Sequence, residues 1–506
     1  MSNSRIVKNS AVLYLRLLIT IVLGIFTTRI VINALGIDDY GIYGVVAGLI
    51  TMFGFMNAAM SSSTQRYLSF DLGLKDSIKL QQTFTTSVNI HLFIGVVTFL
   101  LAEVVGLWAV NHLLDIPIDR LRVANIVFQF SLVAFFFGII QVPYQAVTIA
   151  YERMNTYACI SIIDVLLKLI AAYLLTTATI DKLVLYSQLL AFISVLSFIM
   201  YASYVRIQCK EIKYLKYFDE KYYKEILSFS GWNLFGNIAA VARGQGINVL
   251  INIFFGVALN AAYGVSMMIQ GVLTQFAASI QQAINPQIIK SYAQGELERT
   301  ERLMHLSSKY SFFVMLILIA PLYLNLDYVL DLWLGVIPDY SANFIRYLFV
   351  FILIEVLSNS LMIGLQATGK IKKYHITVGF IVFLNFPLTY LIYTVYKEPE
   401  MAFLVLICTS CISLYARLFF VKNQLGYSII NFTKKVLLHV VVILVLSFPL
   451  LYLNQVDGFT NLFKVFTDSI ICSFYLMLTI YLFGLNKEER LFIKNTLRKI
   501  LKNGSN

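Results

Sequence analysis

The stretch that decides the fold is SGWNLFGNIAAVARGQGINVLINIFFG, residues 230–256. It is long and apolar enough to cross a bilayer as one helix. Arg243 lies near its middle and is followed closely by Gly244 and Gly246. An arginine at the centre of a membrane helix costs about 2.5–3.5 kcal/mol on insertion scales, and each glycine weakens a helix by about 1 kcal/mol. We therefore expect a flexible helix that presents a cation to a water-filled cavity.

Similar apolar stretches recur along the chain. Its 506 residues are 59% hydrophobic and 13% charged, and the mean hydropathy is +0.77. This composition predicts an all-α polytopic membrane protein with about fourteen spans, each of about 20 residues. The predicted spans are residues 11–35, 43–69, 84–110, 121–142, 157–178, 183–206, 229–255, 262–285, 308–327, 342–367, 375–396, 401–421, 436–455 and 463–485.

The basic residues are distributed unevenly between the predicted loops. With the N-terminus inside, most Lys and Arg fall on inward loops and helix ends, with clusters at 206–224, 290–309, 370–373 and 487–502. This asymmetry predicts that both termini are cytoplasmic. We therefore attribute the net charge of +12 to orientation in a membrane rather than to nucleic-acid binding.

A weak internal repeat appears when the chain is shifted by 220 residues. Gly36 then falls on Gly256, Tyr43-Gly44-Val45 falls on Tyr263-Gly264-Val265, and the polar cluster at 61–65 falls on 281–285. Both halves begin from the same side of the membrane, so the repeat is parallel, with its axis along the membrane normal. We predict two six-helix lobes, residues 1–225 and 226–425. The last two spans and a basic tail follow in residues 426–506.

Several charged residues fall inside the predicted spans. The cations that we consider as anion ligands are Arg16, Arg29, Arg66, Lys168 and Arg243. Because cations outnumber carboxylates in the first half of the membrane interior, a phosphate-bearing ligand suits the chain better than an organic cation.

For some of these residues a structural role is an alternative. Arg16 and Arg29 are spaced to share one helix face, but either can also snorkel to its interface. Lys168 and Asp164 form an i,i+4 pair that can neutralise itself. Glu355 is the lone carboxylate of its span, and it either takes up a proton during coupling or pairs with Arg243.

Sequence motifs for enzymes are missing. The chain has no GxxxxGK[ST] loop, no HExxH and no GxSxG, so we expect neither ATP hydrolysis nor another enzyme activity. Cys408 and Cys411 form a CxxC inside a predicted span with no second pair nearby, which favours packing over metal binding. We predict no cofactor, and the coupling ion, proton or sodium, stays open.

A family resemblance begins just after the first span. Arg29, Leu35-Gly36 and Tyr40-Gly41-Ile42-Tyr43, together with residues 143–157, resemble bacterial polysaccharide flippases. These are the O-antigen and capsule transporters of the multidrug/oligosaccharidyl-lipid/polysaccharide (MOP) exporter superfamily. The resemblance implies two MATE-like lobes around a cationic cavity. It also implies that the chain moves an undecaprenyl-diphosphate-linked oligosaccharide from the cytoplasmic to the outer leaflet of the bacterial plasma (inner) membrane.

In that family, cavity cations on helices 1, 2 and 7 meet the diphosphate. On the corresponding helices this chain has Arg16, Arg29, Arg66 and Arg243. The resemblance also implies that the last two helices offer a groove for the lipid tail, and that membrane lipids and other polysaccharide assembly proteins are partners. Alternating access requires bending. In the absence of proline from helices 1, 2 and 7, the candidate hinges are Gly24, Gly231, Gly236, Gly244 and Gly246.

Two other functions remain open. A multidrug or cation antiporter of the same superfamily would depend on buried carboxylates, for which Asp164 and Glu355 are the candidates. A membrane glycan polymerase or ligase would need a large outward loop, and the predicted loops are short.

Overall fold

The computed structural model describes residues 3–51, 54–112, 114, 116–334, 337–450, 462–491 and 494, and these residues contain helices but no strand. The helices are α1 (Asn3–Leu35), α2 (Ile37–Thr51), α3 (Gly54–Leu74), α4 (Ser77–Leu101), α5 (Leu107–His112), α6 (Ile118–Ala150), α7 (Met154–Thr177), α8 (Lys182–Gln208), α9 (Glu220–Phe255), α10 (Val257–Ala293), α11 (Leu297–Leu324), α12 (Leu326–Leu334), α13 (Ser341–Thr368), α14 (Lys372–Phe383), α15 (Asn385–Val395), α16 (Met401–Leu425), α17 (Ile429–Phe432), α18 (Leu438–Ser447) and α19 (Leu462–Thr479). Three π-helical turns lie at Ala102–Gly106, Thr433–Leu437 and Ile480–Gly484.

The predicted all-helical membrane fold is confirmed. Within the described residues, 12 helical segments are long and apolar enough to cross a membrane. They correspond to all the predicted spans except 43–69 and 262–285. Those two fall on α2–α3, on either side of residues outside the described part of the chain, and on α10. The predicted number of fourteen is therefore approximate.

Packing divides the described residues into two compact units. The N-unit comprises Ile6–Ile238 and Ile289–Gly295, and the C-unit comprises Ala239–Ile288 and Glu296–Asn506 together with Met1–Arg5. In the N-unit, α6 packs along α8 and also contacts α3 and α4. In the C-unit, α13 packs against α11 on one side and α16 on the other. This central position makes α13 the helix on which buried charges of the C-unit can meet.

The 220-residue repeat is visible in the backbone. Gly36, between α1 and α2, and Gly256, between α9 and α10, both have φ of 83°. Such a positive φ favours glycine, because a Cβ atom would be strained there. The burial class of every residue from 61 to 72 also matches that of its counterpart from 281 to 292. The few sequence identities therefore mark equivalent structural positions.

Candidate functional site

Three charged side chains lie close together in the C-unit: Arg243, Glu355 and Arg417. Arg417 Nη1 is 3.5 Å from Glu355 Oε2, and the same nitrogen donates a hydrogen bond to Ser358 Oγ. The guanidinium carbon of Arg243 lies 4.9 Å from the centroid of the Phe351 ring. Arg243 is also close enough to Glu355 and Arg417 for both charges to act on it. With one carboxylate between two guanidinium groups, this cluster carries one excess positive charge.

The cluster follows from the spacing of residues on α13. Phe351, Glu355 and Ser358 recur at helical intervals of four and three residues, so their side chains share one face. Helix α9 supplies Arg243 to this face, and α16, which packs along α13, supplies Arg417. Cation–π and charge-assisted contacts then stabilise the two guanidinium groups without water.

Arg417 is the residue that sequence reasoning missed. Arg417 lies near the end of the predicted span 401–421, where a basic side chain is expected to reach the membrane interface, whereas its side chain is buried, with 7% of its surface exposed. A signal was available, because a lone mid-span carboxylate such as Glu355 requires a counter-charge. The sequence left Arg243 open as that partner, and the structure gives the ion pair to Arg417.

In the N-unit, Arg66 is buried in the second half of α3 among aromatic rings. Its guanidinium carbon lies 4.5 Å from the ring centroid of Tyr67, 4.7 Å from that of Phe70 and 5.4 Å from that of Phe229. The Tyr67 hydroxyl donates to Glu225 at 3.1 Å, which brings a carboxylate to the edge of this aromatic cage. Arg66 is thus a buried cation surrounded by ring faces, and the charges of Asp71 and Glu225 act on it.

Arg16 and Arg29 have different surroundings along α1. The guanidinium carbon of Arg16 lies 4.8 Å from the Tyr157 ring centroid, and its buried Nε has no hydrogen-bond partner among the described residues. Arg29 is exposed, and no ion pair to it is found within the described part of the chain. Arg16 is therefore the better placed of the two for a buried ligand.

Lys168 and Asp164 form an ion pair on α7. Lys168 Nζ is 2.8 Å from Asp164 Oδ2, and 41% of the Lys168 side chain is exposed. The structure thus contains the mutually neutralising Lys168–Asp164 pair, which the sequence left open as an alternative. Tyr201 of α8 is close enough to Asp164 and to Arg16 for both charges to act on it. The ion pair on α7 and Arg16 on α1 therefore lie near the same tyrosine.

The candidate hinge glycines differ in the space around them. A Cβ atom added at Gly24, Gly231 or Gly244 would meet nothing within 4 Å. At Gly246 it would lie 2.8 Å from Phe386 Cδ2, so this glycine permits close packing of α9 on α15. Gly236 lies within α9, which runs as one helix from Glu220 to Phe255. The hinge roles stay predictions.

The described part of the chain contains no candidate metal site. No group of three or more His, Cys, Asp or Glu side chains there could hold a metal ion. Cys408 and Cys411 are free and exposed.

Comparison with known proteins identifies the fold. Residues 234–391 match the MatE family model. An outward-facing MATE family multidrug resistance transporter of the MOP superfamily aligns with a TM-score of 0.72 and 13% identity, covering 83% of this chain and 95% of that one. A MATE structure in the straight conformation aligns with a TM-score of 0.70 and 14% identity, over 83% of this chain and 96% of that one.

A third solved structure is a MOP superfamily transporter from Pyrococcus furiosus, described as having a binding pocket of reverse polarity that suggests a different function. It aligns with a TM-score of 0.69 and 14% identity, over 84% of this chain and 96% of that one. A search of curated proteins finds no match. The chain therefore has the fold of MATE transporters of the MOP superfamily, with its match to the MatE family in residues 234–391.

Proposed function

We propose that the chain is a MOP-type transporter that flips an anionic lipid-linked oligosaccharide across a bacterial plasma membrane. The cargo is an undecaprenyl-diphosphate-linked repeat unit, which moves from the cytoplasmic to the outer leaflet for surface polysaccharide synthesis. The MATE fold supports transport, and the charge of the buried clusters supports the nature of the cargo.

The observation that carries the proposal is the excess positive charge around Glu355. Arg417 takes the carboxylate, so Arg243 keeps a charge that an incoming anion can neutralise. In the N-unit, Arg66 is stabilised by ring faces, and Arg16 has a free buried Nε. Each unit thus contains at least one guanidinium group suited to a phosphate.

The chemistry of the cargo explains why arginine is used. A diphosphate cannot enter hydrocarbon unaided, because removing its charges from water is too costly. A guanidinium group presents planar donors that match phosphate oxygens, keeps its charge and stacks on aromatic rings. The prenyl tail meanwhile can remain in lipid, so only the headgroup needs a polar path.

The second candidate is a multidrug or cation antiporter, which the fold match favours. An organic cation would need a carboxylate that is free to receive it. Glu355 pairs with Arg417, and Asp164 pairs with Lys168. The buried charges therefore favour an anion over an organic cation.

Deletion of the gene tests the proposal. We expect the lipid-linked oligosaccharide to accumulate on the cytoplasmic side and the surface polysaccharide to disappear.

Complementation of the deletion strain with Arg243→Ala should fail to restore the surface polysaccharide, although the protein inserts normally. Arg346→Ala is the matched control, because Arg346 also lies on α13 of the C-unit but is not part of the cluster. Its Nη2 atom pairs with Asp327 Oδ2 at 2.7 Å. Normal surface glycan together with altered drug efflux in the deletion strain would support the antiporter instead.

A further inference from the structure

A charged pocket lies in the C-unit, separate from the Arg243 cluster. It has a volume of about 1060 Å³ and is bordered by the first turns of α11, by residues 431–435 and by residues 486–489. The start of α11 and residues 487–489 fall in the basic clusters 290–309 and 487–502 that the sequence predicts to be cytoplasmic, and residues 431–435 precede the predicted span 436–455. The charged and imidazole groups lining it are Glu298, Arg299, Glu301, Arg302, His305, Lys309, Lys435, Lys487, Glu488 and Glu489.

Part of this charge is already neutralised. The buried Lys309 Nζ donates to both carboxylate oxygens of Glu489, at 2.8 and 2.7 Å. Arg302 Nη2 pairs with Glu488 at 3.3 Å. Arg299 pairs with Glu296, just outside the pocket. These pairs fix the walls and leave the remaining groups available.

Positively and negatively charged side chains without an ion pair among the described residues also line the pocket. Lys435, Lys487 and Glu298 are exposed and have no ion pair among the described residues. His305 is buried, and its Nε2 has no hydrogen-bond partner in the described part of the chain. That nitrogen lies 3.8 Å from Glu301 Oε1, beyond hydrogen-bond distance. A ligand with a single sign of charge would leave either Glu298 or both lysines unmatched.

Lys435 and His305 converge on the same part of the pocket. The charge of Lys435 is close enough to act on His305. Lys435 lies in the π-helical turn Thr433–Leu437, and a second such turn, Ile480–Gly484, ends just before Asn486. π-Helical turns are uncommon and occur frequently at functional sites. Two of them here redirect the chain where it enters the pocket.

The pocket lies at the ends of three helical segments that are long and apolar enough to cross a membrane. It borders the starts of Leu297–Leu324 and Ile429–Leu450, and it follows the end of Leu462–Gly484. Because the ends of membrane spans lie at the level of the lipid headgroups, a phospholipid matches this position better than a soluble metabolite does.

We infer that this pocket binds the phosphoethanolamine headgroup of a membrane phospholipid. The phosphate is held by Lys435, Lys487 and the free His305 nitrogen. The primary ammonium group, with its three N–H donors, is held by Glu298 and Glu301. The acyl chains extend along the membrane spans that begin or end at the pocket. This site is independent of the proposed transport cargo.

Native mass spectrometry of the purified full chain in a neutral detergent tests the site. The probes are phosphatidylethanolamine, phosphatidylcholine, phosphatidylglycerol and free O-phosphoethanolamine. We expect phosphatidylethanolamine to bind about tenfold more tightly than phosphatidylcholine, whose methylated ammonium cannot donate hydrogen bonds. Free O-phosphoethanolamine should bind more weakly because it lacks the acyl chains. If it binds as tightly as the lipid, the ligand is soluble and the lipid assignment is wrong.

Variants on the pocket wall sharpen the test. The double variant Lys435→Ala, Lys487→Ala should weaken phosphatidylethanolamine binding by about tenfold. Lys434→Ala should leave it unchanged, because Lys434 is exposed on the same π-helical turn but does not line the pocket. Glu301→Gln should reduce the preference for phosphatidylethanolamine over phosphatidylglycerol. Equal binding of ethanolamine and choline lipids by the wild-type chain, or unchanged binding by the double variant, would overturn the assignment.

Discussion

Buried arginines are stabilised differently in the two units. In the N-unit, Arg66 lies among three aromatic rings, and the charges of Asp71 and Glu225 also act on it. In the C-unit, Arg417 pairs with Glu355 and bonds to Ser358, with Arg243 close by. A ring face attracts a cation without cancelling its charge, whereas a carboxylate cancels one charge. In the C-unit, two guanidinium groups share one carboxylate, so a net positive charge remains there. Four predictions test this difference, ordered by expected effect.

The largest effect should come from removing the shared carboxylate. Glu355→Ala leaves Arg417 and Arg243 next to each other without a counter-charge. Breaking a buried ion pair in this way typically costs about 3–5 kcal/mol. We expect the free energy of unfolding, measured with denaturant in detergent, to fall by about that amount. Glu355→Asp serves as the control, because it keeps the charge and should cost less. A loss under about 1 kcal/mol would mean that Glu355 does not compensate the arginines.

The second prediction compares two glycines on α9, close to Arg243. Gly246→Ala places a Cβ atom against Phe386, and such overpacking typically costs about 1–3 kcal/mol. Gly244→Ala has open space and should stabilise α9 by about 0.5–1 kcal/mol. Thermal unfolding of both variants provides the comparison. If Gly244→Ala preserves stability but stops transport, Gly244 acts as a hinge. Transport at the wild-type rate would remove it from the candidate hinges.

The third prediction concerns the aromatic cage in the N-unit. Phe229→Leu keeps an apolar side chain but removes one ring face from Arg66. We expect a loss of about 1–2 kcal/mol, from the cation–π contact and from imperfect repacking. Phe218→Leu is the control, since Phe218 is exposed on the preceding loop. Equal effects of the two substitutions on unfolding would show that ring contact with Arg66 contributes little.

The smallest effect should come from the half-exposed pair on α7. Asp164→Asn removes the charge that faces Lys168. An i,i+4 ion pair of this kind is worth about 0.2–0.5 kcal/mol. The unfolding midpoint should hardly change, and Lys168→Met should have a similarly small effect. A loss comparable to that of Glu355→Ala would place the Asp164–Lys168 pair among the essential charges of the N-unit.

The repeating features of the fold could be read from the sequence. Apolar runs gave the helices, and the identities at Gly36 and Gly256 identified turns that share the same positive φ. The number of spans is approximate. Within the described residues, 12 of the predicted fourteen spans are found as long apolar helices, and the other two fall on α2–α3 and α10.

The site was only half predictable, and the reason is again physical. Arg243 and Glu355 stood out because charges in mid-span are costly. Arg417 did not, since a cation near a predicted inner helix end normally reaches the interface. Its burial depends on how α16 packs along α13, which is a tertiary contact. The aromatic cage of Arg66 was missed for the same reason, because Phe229 is distant in sequence.

The central claim is that Arg243 supplies positive charge for a diphosphate. The most direct measurement is equilibrium binding of undecaprenyl diphosphate and of uncharged undecaprenol to the purified protein, for the wild type and Arg243→Ala. We predict that the wild type prefers the diphosphate and that Arg243→Ala lowers this preference by about tenfold or more, as expected for loss of a charge-assisted contact of about 1.5–3 kcal/mol. Binding of undecaprenol should not change. An unchanged preference for the diphosphate in Arg243→Ala would contradict the account.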